Sequence, residues 1–341
     1  MSASGLPTLD DVARHAGVST ATVSRCLNAP DRVRPETRAR VEQVVAELGY
    51  TPNLSARALA SNRTNTVGAV IPTMESAIFA LGLQALQDEL SARGVTLLVA
   101  TSHYDPEREA DQVRTLLARG VDGVVLIGEA RPPATYKLLE DRGTPFVLVW
   151  SYRGDCPYPC VGFDNRAAAR SMAEQVLDRG HRRIGMIAGI TAGNDRASDR
   201  VAGVREALHG RGLELEEPYL AETAYSVEAS AAIAQTLLSL SPRPTAIICG
   251  NDVQAAGAIR GARALGLETP RDLSVVGFDD IELASATTPE ITTVRVPHRR
   301  MGRAAAQLLL RMVGSDQPGE RIEFETAVVE RASLAAPPAD A

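Results

Sequence analysis

From Val67 onward, short apolar runs alternate with amphipathic stretches. The runs are VGAVIP (67–72), TLLVATS (96–102), GVVLIG (123–128), PFVLVW (145–150), RIGMIAG (183–189), AIICG (246–250) and SVVGFD (274–279). Each is short and nearly unbroken, the pattern of a strand buried on both faces of a parallel sheet. Between them, residues 79–92, 107–118, 165–179, 197–209, 228–239 and 253–264 read as helices. Strand–helix alternation of this kind predicts doubly wound α/β layers, and about 270 residues suit two such units better than one. Open sheets of this type bind ligands beyond the carboxyl ends of their strands, so polar residues that follow the strands are the binding candidates.

Before Val67 the pattern differs. Residues 8–50 form short, punctuated helical segments, and 51–66, TPNLSARALASNRTNT, are polar with Pro52 near the start. In TLDDVARHA (8–16), Thr8 and Asp11 make a capping pair for a helix starting near Leu9, with Leu9, Val12 and Ala13 as its apolar face. Gly17 supplies the positive φ of a tight turn. Ser19 then caps a second helix from about Thr20 to Leu27, with Val23 and Leu27 turned inward. Two short helices joined by a glycine turn predict a helix-turn-helix, whose second helix enters the major groove of DNA. On that reading Thr22 and Ser24 donate to phosphates, while Thr20, Ala21 and Arg25 face the groove, Arg25 placed to bridge O6 and N7 of a guanine. Thr8, Ser19 and Asn28 complete the candidate DNA contacts of these helices. The competing reading is an ordinary helical hairpin with a solvated polar face.

Charge narrows the choice. The net charge of -6 excludes a uniformly basic nucleic-acid binder, yet residues 1–63 hold eight arginines against six acids, which is +2 and leaves -8 for the remaining 278. A basic module on an acidic body is the asymmetry of a chain that touches an anionic partner with one part only. Cys156 and Cys160 lie close together, but their CPYPC spacing fits no standard zinc or redox pattern, so neither a metal nor a cofactor is expected. With no apolar run near the roughly 20 residues of a membrane span and no signal-peptide core, the expectation is a cytoplasmic protein without a membrane partner. A phosphate loop, a GxSxG elbow, an HExxH helix and a Ser/His/Asp set are all missing, so an enzyme is not expected.

LDDVARHAGVSTATVSRCLN and VRPETRARVEQVVAELGYTPNLSARALAS strongly resemble the DNA-binding region of the LacI/GalR family of transcription regulators. The resemblance continues in order through VGAVIP, GVDGVVLIG, VGFDN, GHRRIGMIAG, DRVAGVREAL, CGNDVQAAGAI, VVGFDDIELASATTPEITTVRVP and MGRAAAQLLL, nearly the whole chain. It implies an all-α helix-turn-helix headpiece (1–51), a hinge helix and linker (52–65), and a two-lobed, periplasmic-binding-protein-like core of doubly wound parallel α/β lobes. The lobes are expected over 66–163 plus 294–321 and over 164–293 plus 322–335, the chain crossing between them three times, with a disordered tail at 336–341. Also implied are a third helix over Pro35–Glu47, phosphate or backbone contacts from Arg34, Thr37 and Arg38, and a hinge helix capped by Asn53. There Leu59 would wedge into the minor groove at the operator centre and kink the duplex, with Ala56 and Arg57 tracking the groove. The alternative for Leu59 is a linker residue resting on the headpiece.

In the core the resemblance implies a ligand-responsive receptor. Arg200 matches an arginine that reaches effector hydroxyl or carboxylate groups, and Asp279 matches an acceptor for ligand hydroxyls or ring N–H groups. Asn251 and Asp252 follow the strand AIICG at the same cleft. Ile78 and Phe79 occupy positions that cover one face of the ligand, and Asp164 belongs to a segment facing the cleft. Trp150 offers a stacking surface but departs from the small or acidic residue common there. His181 is expected to be structural. The plainer alternatives are an Arg200 pair with Asp195 or Asp199, Asp279 and Asp280 as caps of the following helix, and Phe79 as core packing. The resulting expectation is a repressor that binds a near-palindromic operator as a homodimer, controlled by a small polar effector: a sugar, sugar phosphate or nucleoside. A heptad tail for tetramers is not seen after ERASL. The rival expectation is a solute-binding receptor of the same core fold without operator function.

Overall fold

Helices α1 (Leu9–Ala16), α2 (Thr20–Asn28) and α3 (Pro35–Leu48) build the N-terminal part of the computed structural model, which describes residues 6–51, 63–315 and 319–339. Two compact units result, divided between Thr64 and Asn65. In the first, the predicted capping box is present: the Asp11 N–H donates to Thr8 Oγ1 (3.3 Å) and the Thr8 N–H to Asp11 Oδ2 (3.0 Å). Gly17, at φ 63°, ends α1 in the left-handed conformation, and the Thr22 N–H donates to Ser19 Oγ at 3.2 Å to start α2. Val12, Ala13, Ala16, Val23, Cys26, Val41 and Val44 form the core of this unit. Leu27 packs against this core as expected, half-buried beside the buried Cys26. Pro35 opens α3 as expected, and Gly49 (φ 63°) closes it after Leu48.

The second unit holds two parallel sheets. The first joins β1 (Thr66–Ile71), β2 (Thr96–Thr101), β3 (Gly123–Ile127), β4 (Phe146–Val149), β5 (Cys160–Gly162) and, from late in the chain, β11 (Arg321–Glu323), in the order β11–β5–β4–β3–β1–β2. The second has β6 (Ile184–Gly189), β7 (Leu220–Thr223), β8 (Ala246–Cys249) and β9 (Ser274–Val276), in the order β7–β6–β8–β9. Every neighbouring pair in both is parallel, which requires helical crossovers. These are α4 (Ala77–Ser91), α5 (Pro106–Ala118) and α6 (Pro133–Asp141) around the first sheet, and α7 (Asn165–Asp178), α8 (Asp195–His209), α9 (Val227–Leu238) and α10 (Asp252–Ala264) around the second. The short α11 (Glu282–Ala286) follows β9. α12 (His298–Met312) returns to the first lobe and packs on α4 so closely that a Cβ on Gly302 would fall 2.0 Å from the Gly82 carbonyl oxygen.

β2 departs from the reading of strands buried on both faces: it is the edge of its sheet, and none of its residues is buried. β10 (Thr293–Arg295) and β12 (Ala327–Val329) pair antiparallel with each other, outside both large sheets. The cuts expected at 294 and 322 therefore fall inside strands β10 and β11. Of the tail expected to be disordered, Pro337 lies against Gly180. His181 is structural as expected: Nδ1 meets Thr245 Oγ1 at 2.8 Å, and Nε2 meets Ser274 Oγ (3.1 Å) and the Ala335 carbonyl (2.8 Å).

Candidate nucleic-acid face and ligand cleft

On α2, Ala21, Arg25 and Asn28 are exposed at i, i+4, i+7 spacing, away from the buried Val23 and Cys26. Thr20, Thr22 and Ser24 flank this stripe, half-buried. The flanking hydroxyls are held: Ser19 Oγ lies 2.9 Å from Thr22 Oγ1, and Asn28 Nδ2 donates to Ser24 Oγ at 3.2 Å. The Arg25 side chain has no ion-pair partner among the described residues, and burial does not restrain it. Arg34 is exposed at the start of α3 and makes no side-chain cap there, and Thr37 is half-buried. Thr8 is committed to Asp11, donating to Oδ2 at 2.7 Å, and Arg38 is ion-paired with Glu42 at 2.6 Å. Asn53, Ala56, Arg57 and Leu59 lie outside the described residues.

In the second unit a narrow cleft is lined by Ile78, Phe79, Tyr104 and Trp150 from the first lobe and by Arg200, Tyr225, Asn251 and Asp279 from the second. About 20 Å³ is free in it, room for roughly one water molecule. Tyr104 (φ 62°), Trp150 (φ 65°) and Asp279 (φ 103°) all have left-handed backbones. Each such non-glycine conformation costs roughly 1–3 kcal/mol, and they cluster where ligands are held.

Arg200 is fixed from three sides. Nε donates to Asn165 Oδ1 (2.9 Å), Nη1 donates to the Gly250 carbonyl (2.6 Å), and the guanidinium lies 3.7 Å over the Phe278 ring. Asn165 in turn donates to the Trp150 carbonyl at 2.9 Å, tying the lobes together behind the site. What remains of Arg200 is Nη2, 3.5 Å from Asp279 Oδ1, close enough to attract but without a hydrogen bond. Asp279 is 2% exposed, its N–H donates to the Val294 carbonyl (2.8 Å), and neither carboxylate oxygen has a hydrogen-bond partner among the described residues. A buried charged acceptor left open in this way is costly unless a ligand supplies donors. At the rim, the Glu129 N–H donates to Asp195 Oδ2 (2.5 Å) and Arg196 donates to Asp195 Oδ1 (2.8 Å), a latch between the lobes.

The geometry thus gathers Ile78, Phe79, Trp150, Arg200, Asn251 and Asp279 of the predicted residues. Two others go elsewhere. Asp164 is exposed and caps α7 by accepting the Ala167 N–H at 2.9 Å, while its neighbour Asn165 is the one that reaches Arg200. Asp252 is fully buried, and its oxygens accept from Thr293 Oγ1 (2.5 Å) and the Ile281 N–H (2.9 Å), fastening the loop after β9. Arg200 pairs with neither Asp195 nor Asp199, and Asp279 caps no helix; Asp280 instead pairs with Arg295 and Arg331, each at 2.6 Å. Phe79 is core and wall at once, 2% exposed and edge-on to Trp150 with centroids 5.6 Å apart. Sequence reasoning passed over Tyr104, Tyr225 and Asn165, although all three follow strand carboxyl ends, where the general rule directs attention. Among the described residues, no group of His, Cys, Asp and Glu is arranged to hold a metal, and no helix is long and apolar enough to cross a membrane.

Comparison with known proteins matches this arrangement. The profile for bacterial regulatory proteins, lacI family, covers residues 8–53, and that for a periplasmic binding protein-like domain covers 173–334. An HTH-type transcriptional repressor PurR from Erwinia tasmaniensis is 35% identical over 335 residues, 97% of each chain. The chain belongs to the LacI family. Two solved LacI-type structures superpose along nearly all of it. The lac repressor dimer bound to operator and the anti-inducer ONPF has 26% identity, a TM-score of 0.85, and coverage of 97% of this chain and 100% of that one. The CelR–cellobiose complex has 32% identity, a TM-score of 0.70, and coverage of 96% and 99%. Within the LacI family this chain is a DNA-binding, ligand-responsive transcriptional repressor and not an enzyme.

Proposed function

We propose that the protein represses transcription as a homodimer whose two headpieces hold a near-palindromic operator, and that a small polar effector in the cleft sets the operator affinity. The observation that carries the effector reading is the open Asp279 carboxylate beside the immobilised Arg200, an ion pair 3.5 Å apart whose ligand-facing groups make no hydrogen bond among the described residues. A sugar, sugar phosphate or nucleoside has the oxygens and N–H groups to satisfy both. On the DNA side, Ala21, Arg25 and Asn28 are the base-reading stripe, with Thr20, Thr22, Ser24 and Arg34 at the backbone. Asn53, Ala56, Arg57 and Leu59 take the hinge roles implied by the family resemblance. Effector binding changes how the lobes close, and closure shifts the spacing of the paired headpieces. A small headpiece alone contacts too little DNA for tight binding, which favours the dimer. The setting proposed is the cytoplasm.

The test is binding of purified protein to DNA upstream of its own gene across a salt series, alongside a thermal-shift screen of sugars, sugar phosphates and nucleosides. Binding is expected to weaken steeply with salt, and a compound at a hundredfold excess over its Kd to stabilise the core by about 2.7 kcal/mol. Stabilisation by a compound with undetectable DNA binding would favour the solute-receptor reading instead.

A further inference from the structure

Behind the aromatic wall, Trp150 and His298 form a pair that the reading above leaves unused. Trp150 Nε1–H donates to His298 Nδ1 at 3.0 Å, and the two rings stack with centroids 6.3 Å apart. An indole nitrogen only donates, so Nδ1 must accept, which leaves the imidazole neutral with its proton on Nε2. Burial acts in the same direction, pushing the imidazole pKa down against the pull of Asp279. Nε2 lies 4.0 Å from Asp279 Oδ1, too far for a direct hydrogen bond, and neither Nε2 nor either Asp279 side-chain oxygen has a hydrogen-bond partner among the described residues. Two cleft residues, Trp150 and Asp279, thus bracket a buried imidazole whose Nε2–H makes no close hydrogen bond among the described residues, its nearest acceptors being on Asp279.

We infer that His298 is a specificity-determining residue. A hydroxyl of an uncharged, polyhydroxylated effector sits between His298 and Asp279, accepting from Nε2–H and donating to Oδ1, with Trp150 as the positioning residue that fixes the tautomer. This rests on the effector reading and narrows it. Two hydrogen bonds of about 2.8 Å span the 4.0 Å gap with an angle of about 90° at the shared oxygen, acceptable for a hydroxyl. A hydroxyl both accepts and donates; an ammonium group only donates, and a phosphate or carboxylate only accepts and would meet the Asp279 charge. The second Asp279 oxygen is left for a neighbouring hydroxyl, while Arg200 Nη2 stands 3.5 Å from the first. Both cleft arginines already have a carboxylate alongside, Arg200 with Asp279 (3.5 Å) and Arg196 with Asp195 (2.8 Å), so an anionic ligand finds no unbalanced positive charge. Of the three effector classes, the site disfavours the sugar phosphate, and the uncharged sugar is the simplest ligand that meets it.

Two measurements test this on the full-length chain. Nitrogen NMR of histidine-labelled protein at neutral pH, with the resonances assigned through His298→Gln, is expected to show a bare Nδ1 and a protonated Nε2, a signature that Trp150→Phe removes. Calorimetric titration with D-glucose, D-galactose, D-ribose, cellobiose and their phosphate esters is expected to find a neutral sugar that binds. His298→Phe should weaken that sugar roughly tenfold, and His298→Gln, which restores an N–H donor, should recover most of the loss. If Arg200→Ala weakens the sugar but His298→Phe does not, the effector reading stands and this inference falls. If binding survives Arg200→Ala unchanged, both fall. A proton on Nδ1, binding confined to phosphate esters, or no neutral sugar bound at all also overturns it.

Discussion

At the scale of the residue, the chain concentrates unfavourable choices in a few places. Arg25 is exposed on the face of α2 opposite the headpiece core, with no ion-pair partner among the described residues. Removing it is expected to leave folding intact and weaken operator binding about 5- to 150-fold, the 1–3 kcal/mol of a bidentate guanine contact; gel-shift titration of Arg25→Ala checks this. Asp252 is the opposite case, a carboxyl kept inside the fold. Burial first, and then the nearby Asp279 charge, pushes its pKa up to about 8, against the lowering effect of its bonds to Thr293 and Ile281. An unfolded aspartate titrates near 3.8, so the native state holds the extra proton between about pH 4 and 8. Stability is therefore greatest below that window and falls as pH rises through it. Urea unfolding should lose at least about 1.4 kcal/mol between pH 5 and 8.5, one pKa unit's worth, and Asp252→Asn should flatten the slope. An equal loss in the variant would contradict this assignment. Residue roles were only partly legible in the sequence. Arg200 and Asp279 stand where a motif marks them, but whether Asp164 or Asn165 faces the cleft depends on which residue the start of α7 turns outward, and that is decided by packing.

Elements show where pattern suffices. The seven long apolar runs all became strands, and the six helical stretches became helices with ends shifted by one or two residues, because burial on both faces or on one stripe leaves a clear periodicity. β5, β7, β10, β11 and β12, three or four residues each, escaped notice; all but β5 include exposed or half-buried residues, unlike the equally short β4, β8 and β9. Caps were legible because they are local, and Thr8→Ala is expected to cost about 1 kcal/mol of headpiece stability, read from its thermal melt. The latch between the lobes was not legible, since it joins residues 66 positions apart. At Gly128 (φ 71°) an added Cβ would fall 1.9 Å from Arg196 Nη1 and 2.4 Å from Asp195 Oδ1. Gly128→Ala should therefore hinder closure and weaken effector binding at least tenfold. Gly143→Ala has a similar backbone (φ 60°) with open space around it, and should carry the same strain while leaving binding unchanged. Equal effects of the two substitutions on binding would refute the latch.

For the whole molecule, the order of motifs along the chain was the informative signal, since each alone is compatible with several folds. The sequence distinguishes a basic DNA-facing unit from an acidic ligand-facing one by charge and period, and the structure places the open polar groups of the second in the cleft between its lobes. Coupling between the two is the central claim, and linkage makes it measurable: whatever factor the effector imposes on operator affinity, the operator must impose on effector affinity. The direct test takes the compound that most raises the core melting temperature and measures operator affinity with and without it, then its own affinity with and without operator. Both affinities are expected to change by the same factor, at least about fivefold in either direction, and Arg200→Ala should abolish both changes. Operator affinity that is identical in the absence and at saturation of that compound would contradict the account.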